Sequence, residues 1–415
     1  MTLRTVHPRL AVALSGGGFR AALFHAGVLV RVAEAGWLPR LDLISTVSGG
    51  SILGAVLATK WEQILRKGAS ATALREVVVA PFTRALERSS FIGSWGARLP
   101  LAFLRHAFER EAWNRTSLAA ELLSTHFDLS DIRQLPESPY LVVNASNLLS
   151  GRSWRFTRDG CGDSRFGYAR WRQFFSVGAA VAASAAFPPV FSPLPMSTST
   201  LAFSGPVYGE QALPLPALMP LSDGGVYDNL GVEVATKTTL VTGRTVSVPE
   251  FLLVSDGGFP AQQRFRRSGM PAVGEGLLLY RVDEVARDQV GALRRRMLVR
   301  QFQEGRGPGA LIVLGSSVRK LPASALESYV KAVGTNAVIP ETLVGRIQSI
   351  RTHLNRFSET EAEALMYHGY TLTDAVLHAY RDSYDPAYQL APWGDWRIEF
   401  TPTKIEEWER GLSVR

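Results

Sequence analysis

Cysteine is nearly missing from this chain: Cys161 is the single one among 415 residues. A disulfide within the chain is therefore excluded, and a metal cluster built on cysteine lacks its ligands. Cys161 sits in the polar segment Asp159-Gly-Cys-Gly-Asp163, read as a loop with no histidine-rich signal around it. Long apolar runs are absent as well. Crossing a bilayer takes ~18 uninterrupted apolar residues, and the nearest approach, Val177 to Phe187, is interrupted by Ser184 and closed by Pro188-Pro189. The first residues carry neither the apolar h-region nor the small-residue cleavage site of a secretory signal. A soluble or peripheral protein of the reducing cytoplasm is the expectation. Internal repeats and low-complexity tracts are also lacking.

What is present is ordinary globular composition, 46% hydrophobic and 20% charged, enough for a sizeable core. Basic residues outnumber acidic ones, 45 to 37, for a net charge of +8. That balance favours anionic partners in general, membrane surfaces and nucleic acid among them, and decides nothing about fold.

Leu10 to Leu14 reads as a buried strand, followed by the glycine turn Ser15-Gly-Gly-Gly18 and a helix from about Phe19 to Ala35. The pattern repeats: strand Leu41 to Val47, turn Ser48-Gly-Gly-Ser51, helix to about Lys60. Strand, glycine turn and helix in succession predict a parallel α/β sheet. Tyr140 to Asn144, Phe251 to Ser255 and Ala310 to Leu314 are further strands of the kind buried on both faces. Residues 80–135 read as a helical insertion in which Phe91, Trp95, Leu99, Phe103 and Phe108 crowd among Arg98, Arg105 and Arg110. An interfacial lid and a core-packed insertion both fit that cluster. Arg281 to Phe302 reads as a long helix carrying Arg294-Arg-Arg296, either a phosphate-binding patch or a solvated face. The expected organisation is a catalytic domain over residues 1–320 and a C-terminal helical extension, 321–415, packed on it through Trp393, Trp396 and Trp408.

Three segments carry candidate chemistry. Ser48 lies where a strand ends and a helix begins, within Thr46-Val-Ser48-Gly-Gly50. A nucleophile elbow needs a serine on a strained turn with small neighbours; a plain turn has the same look. The run Gly16-Gly17-Gly18 opens a helix, where converging backbone N–H groups can hold an oxyanion, and Arg20 stands two residues on. The same glycines satisfy a loose dinucleotide fingerprint. That fold ends its second strand on a ribose-binding acid, whereas here Asp42 opens the strand and Ser48 follows it. The third segment is Asp223-Gly-Gly225, whose carboxylate could take a serine proton if kept basic. Asp256-Gly-Gly258 competes with it on local chemistry.

Together these segments resemble the patatin-like phospholipases. The resemblance rests on four blocks in order: Gly16 to Arg20, Ser45 to Ser51, Ala183-Ser-Ala-Ala-Phe-Pro-Pro-Val-Phe-Ser-Pro193, and Asp223-Gly-Gly225 with Asn229 downstream. The family's catalytic Asp-Gly-Gly is the first after the alanine-serine-proline block, which selects Asp223 over Asp256. Two departures stand out: Thr46 where most members have glycine, and Ala21 where many do.

The resemblance implies a three-layer α/β/α fold with a mainly parallel central sheet, decorated by the helical insertion and the C-terminal helices. It implies a serine lipid acyl hydrolase acting on phospholipids, lysophospholipids or glycerides, of phospholipase A or lysophospholipase type. Ser48 and Asp223 are its expected dyad, and Gly16, Gly17, Gly18 and Arg20 the expected oxyanion hole. No cofactor or metal is called for. A lipid substrate and peripheral contact with an anionic membrane are the expected partners, and nucleic acid is not. An acyltransferase on the same dyad, a lipid-binding regulator and a dinucleotide-dependent oxidoreductase are the rival readings. A Ser-His-Asp triad is another, with His25 as the histidine nearest the glycine turn in sequence.

Overall fold

The structure is a computed structural model describing residues 4–88, 90–91, 93–98, 114–188, 190–199, 201–207, 209–258, 271–305, 307–352, 354–384, 388 and 393–412. Strand β1 (Leu10–Leu14) is buried at every position. It leads through the glycine turn into α1 (Gly18–Glu34), and β2 (Leu41–Val47) leads through Ser48 into α2 (Gly49–Thr59). The later elements are α3 (Arg115–Phe127), β3 (Tyr140–Asn147), β4 (Arg152–Thr157), β5 (Gly160–Asp163), β6 (Gly167–Arg170) and α4 (Val177–Ser184). They continue as β7 (Leu194–Ser197), β8 (Leu218–Asp223), β9 (Phe251–Asp256), α5 (Pro271–Gln303), β10 (Gly309–Val313) and α6 (Glu359–Ala379).

The sheet runs β10-β9-β1-β2-β3-β4-β5-β6, with β8 pairing both β3 and β7. From β10 to β3 it is parallel; β4, β5, β6, β7 and β8 join antiparallel. The parallel half is the part that repeated strand–turn–helix units dictate, since a right-handed crossover returns each strand beside the last. The antiparallel half follows from short connections such as Arg158-Asp159 between β4 and β5, too short for a parallel crossover.

Alternate residues of β1 divide between two apolar layers, as the pleat demands. Leu10, Val12 and Leu14 face α1, α2 and α6; Ala11 and Ala13 face Leu230, Val232, Val234 and Leu298 of α5. This is a three-layer α/β/α arrangement. Cys161 lies on the buried strand β5 rather than in a loop, and desolvation pushes its thiol well above the usual range, away from reactivity.

The C-terminal part supplies core. Helix α6 crosses α1 so closely that a Cβ on Gly27 would lie 1.8 Å from the Met366 carbonyl oxygen, and one on Gly369 2.2 Å from that of Phe24. Between the helices Arg31 meets Asp374 at 2.6 Å, both fully buried. Trp408 is fully buried, Trp396 packs on Tyr370 and Trp393 stacks on His378, so the tail lies down on the body. In the insertion, Phe91 packs edge-on to Phe19 and Trp95 to Phe191; Leu99, Leu101, Phe103, Leu104 and Phe108 lie outside the described residues. Among the described residues no helix is long and apolar enough to cross a membrane.

Replacing Gly27 with leucine forces α1 and α6 apart. We expect a loss of about 3 kcal/mol, toward the upper end for overpacking, read as a lower midpoint of urea unfolding.

Candidate active site

Strand β3 is where the site is assembled. One of its edges carries β4. The other is shared by two strands arriving from opposite directions: β2, whose last pair is Val47 with Asn144, and β8, whose last pair is Asp223 with Ala145. Residues 48 and 223 therefore meet end to end above consecutive residues of one strand, although 174 positions lie between them in the chain.

Ser48 has φ 50° and ψ −117°. A non-glycine residue held there stores roughly 1–3 kcal/mol of backbone strain, which surrounding contacts must hold. The Ser48 N–H donates to Ser184 Oγ at 2.9 Å; Ser184 Oγ donates to the Asn144 carbonyl at 2.6 Å and lies 2.9 Å from Ser51 Oγ. Gly49 and Gly50 are demanded by close approach. A Cβ on either would come within 2.0 Å of the Gly18 carbonyl oxygen or 2.3 Å of that of Leu14. Thr46 is accommodated by a gap on the facing helix: its Cγ2 occupies the place of the missing side chain of Gly54, 2.5 Å from where a Cβ would be. Its Oγ1 also accepts a bond from Ser51 at 3.0 Å.

The Asp223 carboxylate is almost fully buried, and its Oδ1 accepts the Gly225 N–H at 2.6 Å. Burial raises its pKa to about 6, although the Gly225 N–H, the Ser48 hydroxyl as a donor and the charge of Arg287 pull the other way. Arg287 reaches this region from α5, its guanidinium 4.6 Å from the centre of the Phe187 ring.

The glycine turn lies against Ser48, and Asn229 stands between it and the turn after Asp223. A Cβ on Gly16 would sit 3.2 Å from Ser48 Cβ and 2.4 Å from Asn229 Oδ1, and one on Gly225 would sit 2.6 Å from the same oxygen. Gly16 N–H is engaged by the Asn229 carbonyl at 3.0 Å. Gly17 and Gly18, at the start of α1, have N–H groups with no helical acceptor ahead of them. Arg20 points into the core instead. It donates to the carbonyls of Gln348 (3.3 Å), Ile350 (3.2 Å) and Gly257 (3.2 Å), and burial lowers its pKa to about 10. It braces the turn from below.

The rivals are disposed differently. Asp256 Oδ1 accepts the Gly258 N–H, and its Oδ2 is ion-paired with Arg295 at 2.8 Å, so this second Asp-Gly-Gly carboxylate is already answered. His25 is fully buried, with Nε2 3.0 Å from the Ser15 carbonyl and Nδ1 2.6 Å from Ser255 Oγ. Burial drives its pKa down to about 4, so it is a neutral crossbar between β1 and β9. Among the described residues no histidine bonds to Ser48 or Asp223, and no group of three or more His, Cys, Asp or Glu is placed to hold a metal. Asn144, Ser184 and Arg287 were not singled out from sequence. An asparagine closing the apolar run Tyr140-Leu-Val-Val143 was a readable signal for the first.

Ser184→Ala takes away the acceptor of the Ser48 N–H, while the Ser51 hydroxyl keeps its bond to Thr46. The expected cost is about 1–3 kcal/mol for unsatisfied buried groups by urea unfolding, with slower labelling of Ser48 by a fluorophosphonate.

Against known proteins, a family model described as patatin-like phospholipase matches residues 12–236, just over half of the chain. No curated protein matches. Among solved structures, human GIVD cytosolic phospholipase A2 is similar over 91% of this chain and 60% of its own, with 12% identity and a TM-score of 0.50. VipD from Legionella pneumophila matches over 89% of this chain and 66% of its own, at 13% identity and a TM-score of 0.31. The chain thus spans about 60% of the human enzyme's length, and that likeness is one of fold. With the model's match running from β1 through the elbow to the loop after Asp223, the chain belongs to the patatin-like phospholipase family, a family of lipid acyl hydrolases.

Proposed function

We propose that this protein hydrolyses acyl esters of phospholipids, lysophospholipids or glycerides with Ser48 as nucleophile and Asp223 as base. The observation that carries the reading is the buried Asp223 carboxylate, raised to about 6 and touched by the hydroxyl of a serine on a strained strand-to-helix turn. At neutral pH such a group is mostly ionised yet a better base than an exposed aspartate.

As Ser48 Oγ bonds to the ester carbonyl carbon, its proton passes to Asp223 and the carbonyl oxygen becomes an oxyanion. The N–H groups of Gly17 and Gly18 are the donors proposed to hold it; the Gly16 N–H is already bonded to Asn229, and Arg20 to three carbonyls. Collapse breaks the bond to the leaving alcohol, which takes the proton from Asp223 and departs. A water then gives a proton to Asp223 and attacks the acyl-Ser48 carbonyl; as the acyl bond to Ser48 Oγ breaks, Oγ takes that proton from Asp223 and the fatty acid is released. Each donor to the oxyanion contributes about 3 kcal/mol in comparable sites. The proposed setting is a membrane periphery, where such substrates reside.

A lipid-like fluorophosphonate should label Ser48 alone, as located by mass spectrometry. Ser48→Ala should abolish labelling and lower kcat on a soluble ester by about 10⁴-fold or more. Asp223→Asn should lower it by at least about 10²-fold. Full turnover by either folded variant would overturn the mechanism.

The pH dependence has a defined sign. Protonated Asp223 cannot accept the serine proton, so kcat/KM should fall as pH drops through about 6. Arg287 lowers the Asp223 pKa, so Arg287→Gln should move that acid limb to higher pH. A pH–rate profile of the two proteins on an uncharged ester checks both statements.

A further inference from the structure

The loop after Asp223 carries a carboxamide back into the site. Gly225–Asp228 is a single helical turn, and Asn229 follows it. The buried Asp228 carboxylate accepts the N–H groups of Leu230 (3.2 Å) and Glu233 (3.0 Å) and pairs with Arg294 at 3.4 Å. Arg294 also donates to the Tyr227 carbonyl, and the Asn229 carbonyl accepts the Gly16 N–H. The loop is thus held on both flanks, and none of these ties uses the Asn229 side chain.

That side chain is only partly buried, and among the described residues its carboxamide makes no hydrogen bond. Its oxygen takes up the room of two missing side chains. A Cβ on Gly16 would sit 2.4 Å from Asn229 Oδ1, and one on Gly225 2.6 Å from it. The same two positions adjoin the reacting groups: the first lies 3.2 Å from Ser48 Cβ, the second 2.8 Å from Asp223 Oδ1. Taken end to end, these gaps keep the Asn229 oxygen within the span of one water bridging two oxygens, about 5.5 Å, of Asp223 Oδ1. A similar bound holds to Ser48 Cβ. The Nδ2 end turns the other way, toward the turn after Asp256, 3.1 Å from where a Gly258 Cβ would stand.

A carboxamide oxygen accepts a hydrogen bond and leaves the proton where it is. The water that attacks acyl-Ser48 carries two hydrogens. Asp223 takes one as a proton; the other stays on the oxygen. An acceptor for that second hydrogen fixes the water with a lone pair facing the acyl carbon, and such orientation is a large part of a barrier. Asp223 and the Asn229 oxygen are two acceptors spaced for one water. An alcohol has a single O–H, which Asp223 consumes, so it gains nothing from the Asn229 oxygen.

We propose that Asn229 Oδ1 holds the water that hydrolyses acyl-Ser48, and so makes water rather than an alcohol the favoured acceptor of the acyl group. This role rests on the Ser48–Asp223 hydrolase reading above. The water oxygen bonds to the acyl carbon while one proton passes to Asp223, and then to Ser48 Oγ as the C–Oγ bond breaks. The second hydrogen leaves as the hydroxyl hydrogen of the fatty acid.

The test follows two products of one acyl-enzyme. Full-length parent and Asn229→Ala are given 4-nitrophenyl butyrate with and without methanol, and butyric acid and methyl butyrate are quantified. We expect the variant to release its first equivalent of 4-nitrophenol within about twofold of the parent rate, with steady-state hydrolysis at least about tenfold slower. The ratio of methyl ester to acid should rise about tenfold. Because both products come from one intermediate, that ratio does not depend on how much of the protein is folded. Asn229→Leu, close in volume but without an acceptor, should behave alike. An unchanged product ratio in the two variants would overturn the assignment. So would an equal loss of hydrolysis and of Ser48 labelling by the fluorophosphonate, the mark of a structural tie. A parent protein that neither labels at Ser48 nor turns over the ester would instead sink the hydrolase reading, and this role with it.

Discussion

The molecule is organised around one edge of one strand. Two strands running in opposite directions, β2 and β8, end on Asn144 and Ala145 of β3, and the side chains that follow them have nowhere to go but toward each other. Register is strict in a buried sheet, because a slip of one residue turns every side chain to the other face. Fixing the pairings of β3 therefore fixes the meeting of Ser48 and Asp223 within narrow limits. The glycines at 16, 49, 50, 224 and 225 are the corollary: three backbone turns converge at distances that leave no room for a Cβ.

Burial then sorts the ionisable groups. Asp223 loses water without gaining an ion-paired cation, so its proton affinity rises; Arg287 acts on it only as a neighbouring charge. Asp256, on an identical tripeptide, has Arg295 against it. The same desolvation holds His25 neutral and turns Arg20 into a brace among carbonyls. Two equal sequence motifs thus receive unequal surroundings: Asp256 has an arginine against it, and Asp223 has the Ser48 turn.

The C-terminal third is tied into the same construction. Helix α6 fills the layer beneath α1, and Arg20 links the start of α1 to the carbonyls of Gln348 and Ile350. A disturbance between α1 and α6 would therefore be felt at the glycine turn, since one helix carries both contacts.

Sequence alone determined the local conformations and brought forward the candidate residues of the site. The strands Leu10–Leu14 and Leu41–Val47, the glycine turns and the helices after them are set by short-range sterics and the alternation of apolar residues, and they stand where the sequence puts them. The order of four blocks was enough to bring Ser48 and Asp223 forward together. Tertiary structure decided everything that depends on who sits beside whom. The antiparallel half of the sheet, Cys161 in a strand, Arg20 turned inward, Gly16 bonded to Asn229 and Ser184 as the holder of the elbow all arise from contacts between residues far apart in the chain. The raised proton affinity of Asp223 is of the same kind, because a pKa in the interior is set by desolvation and neighbouring charge, and neither is written in the Asp-Gly-Gly tripeptide itself.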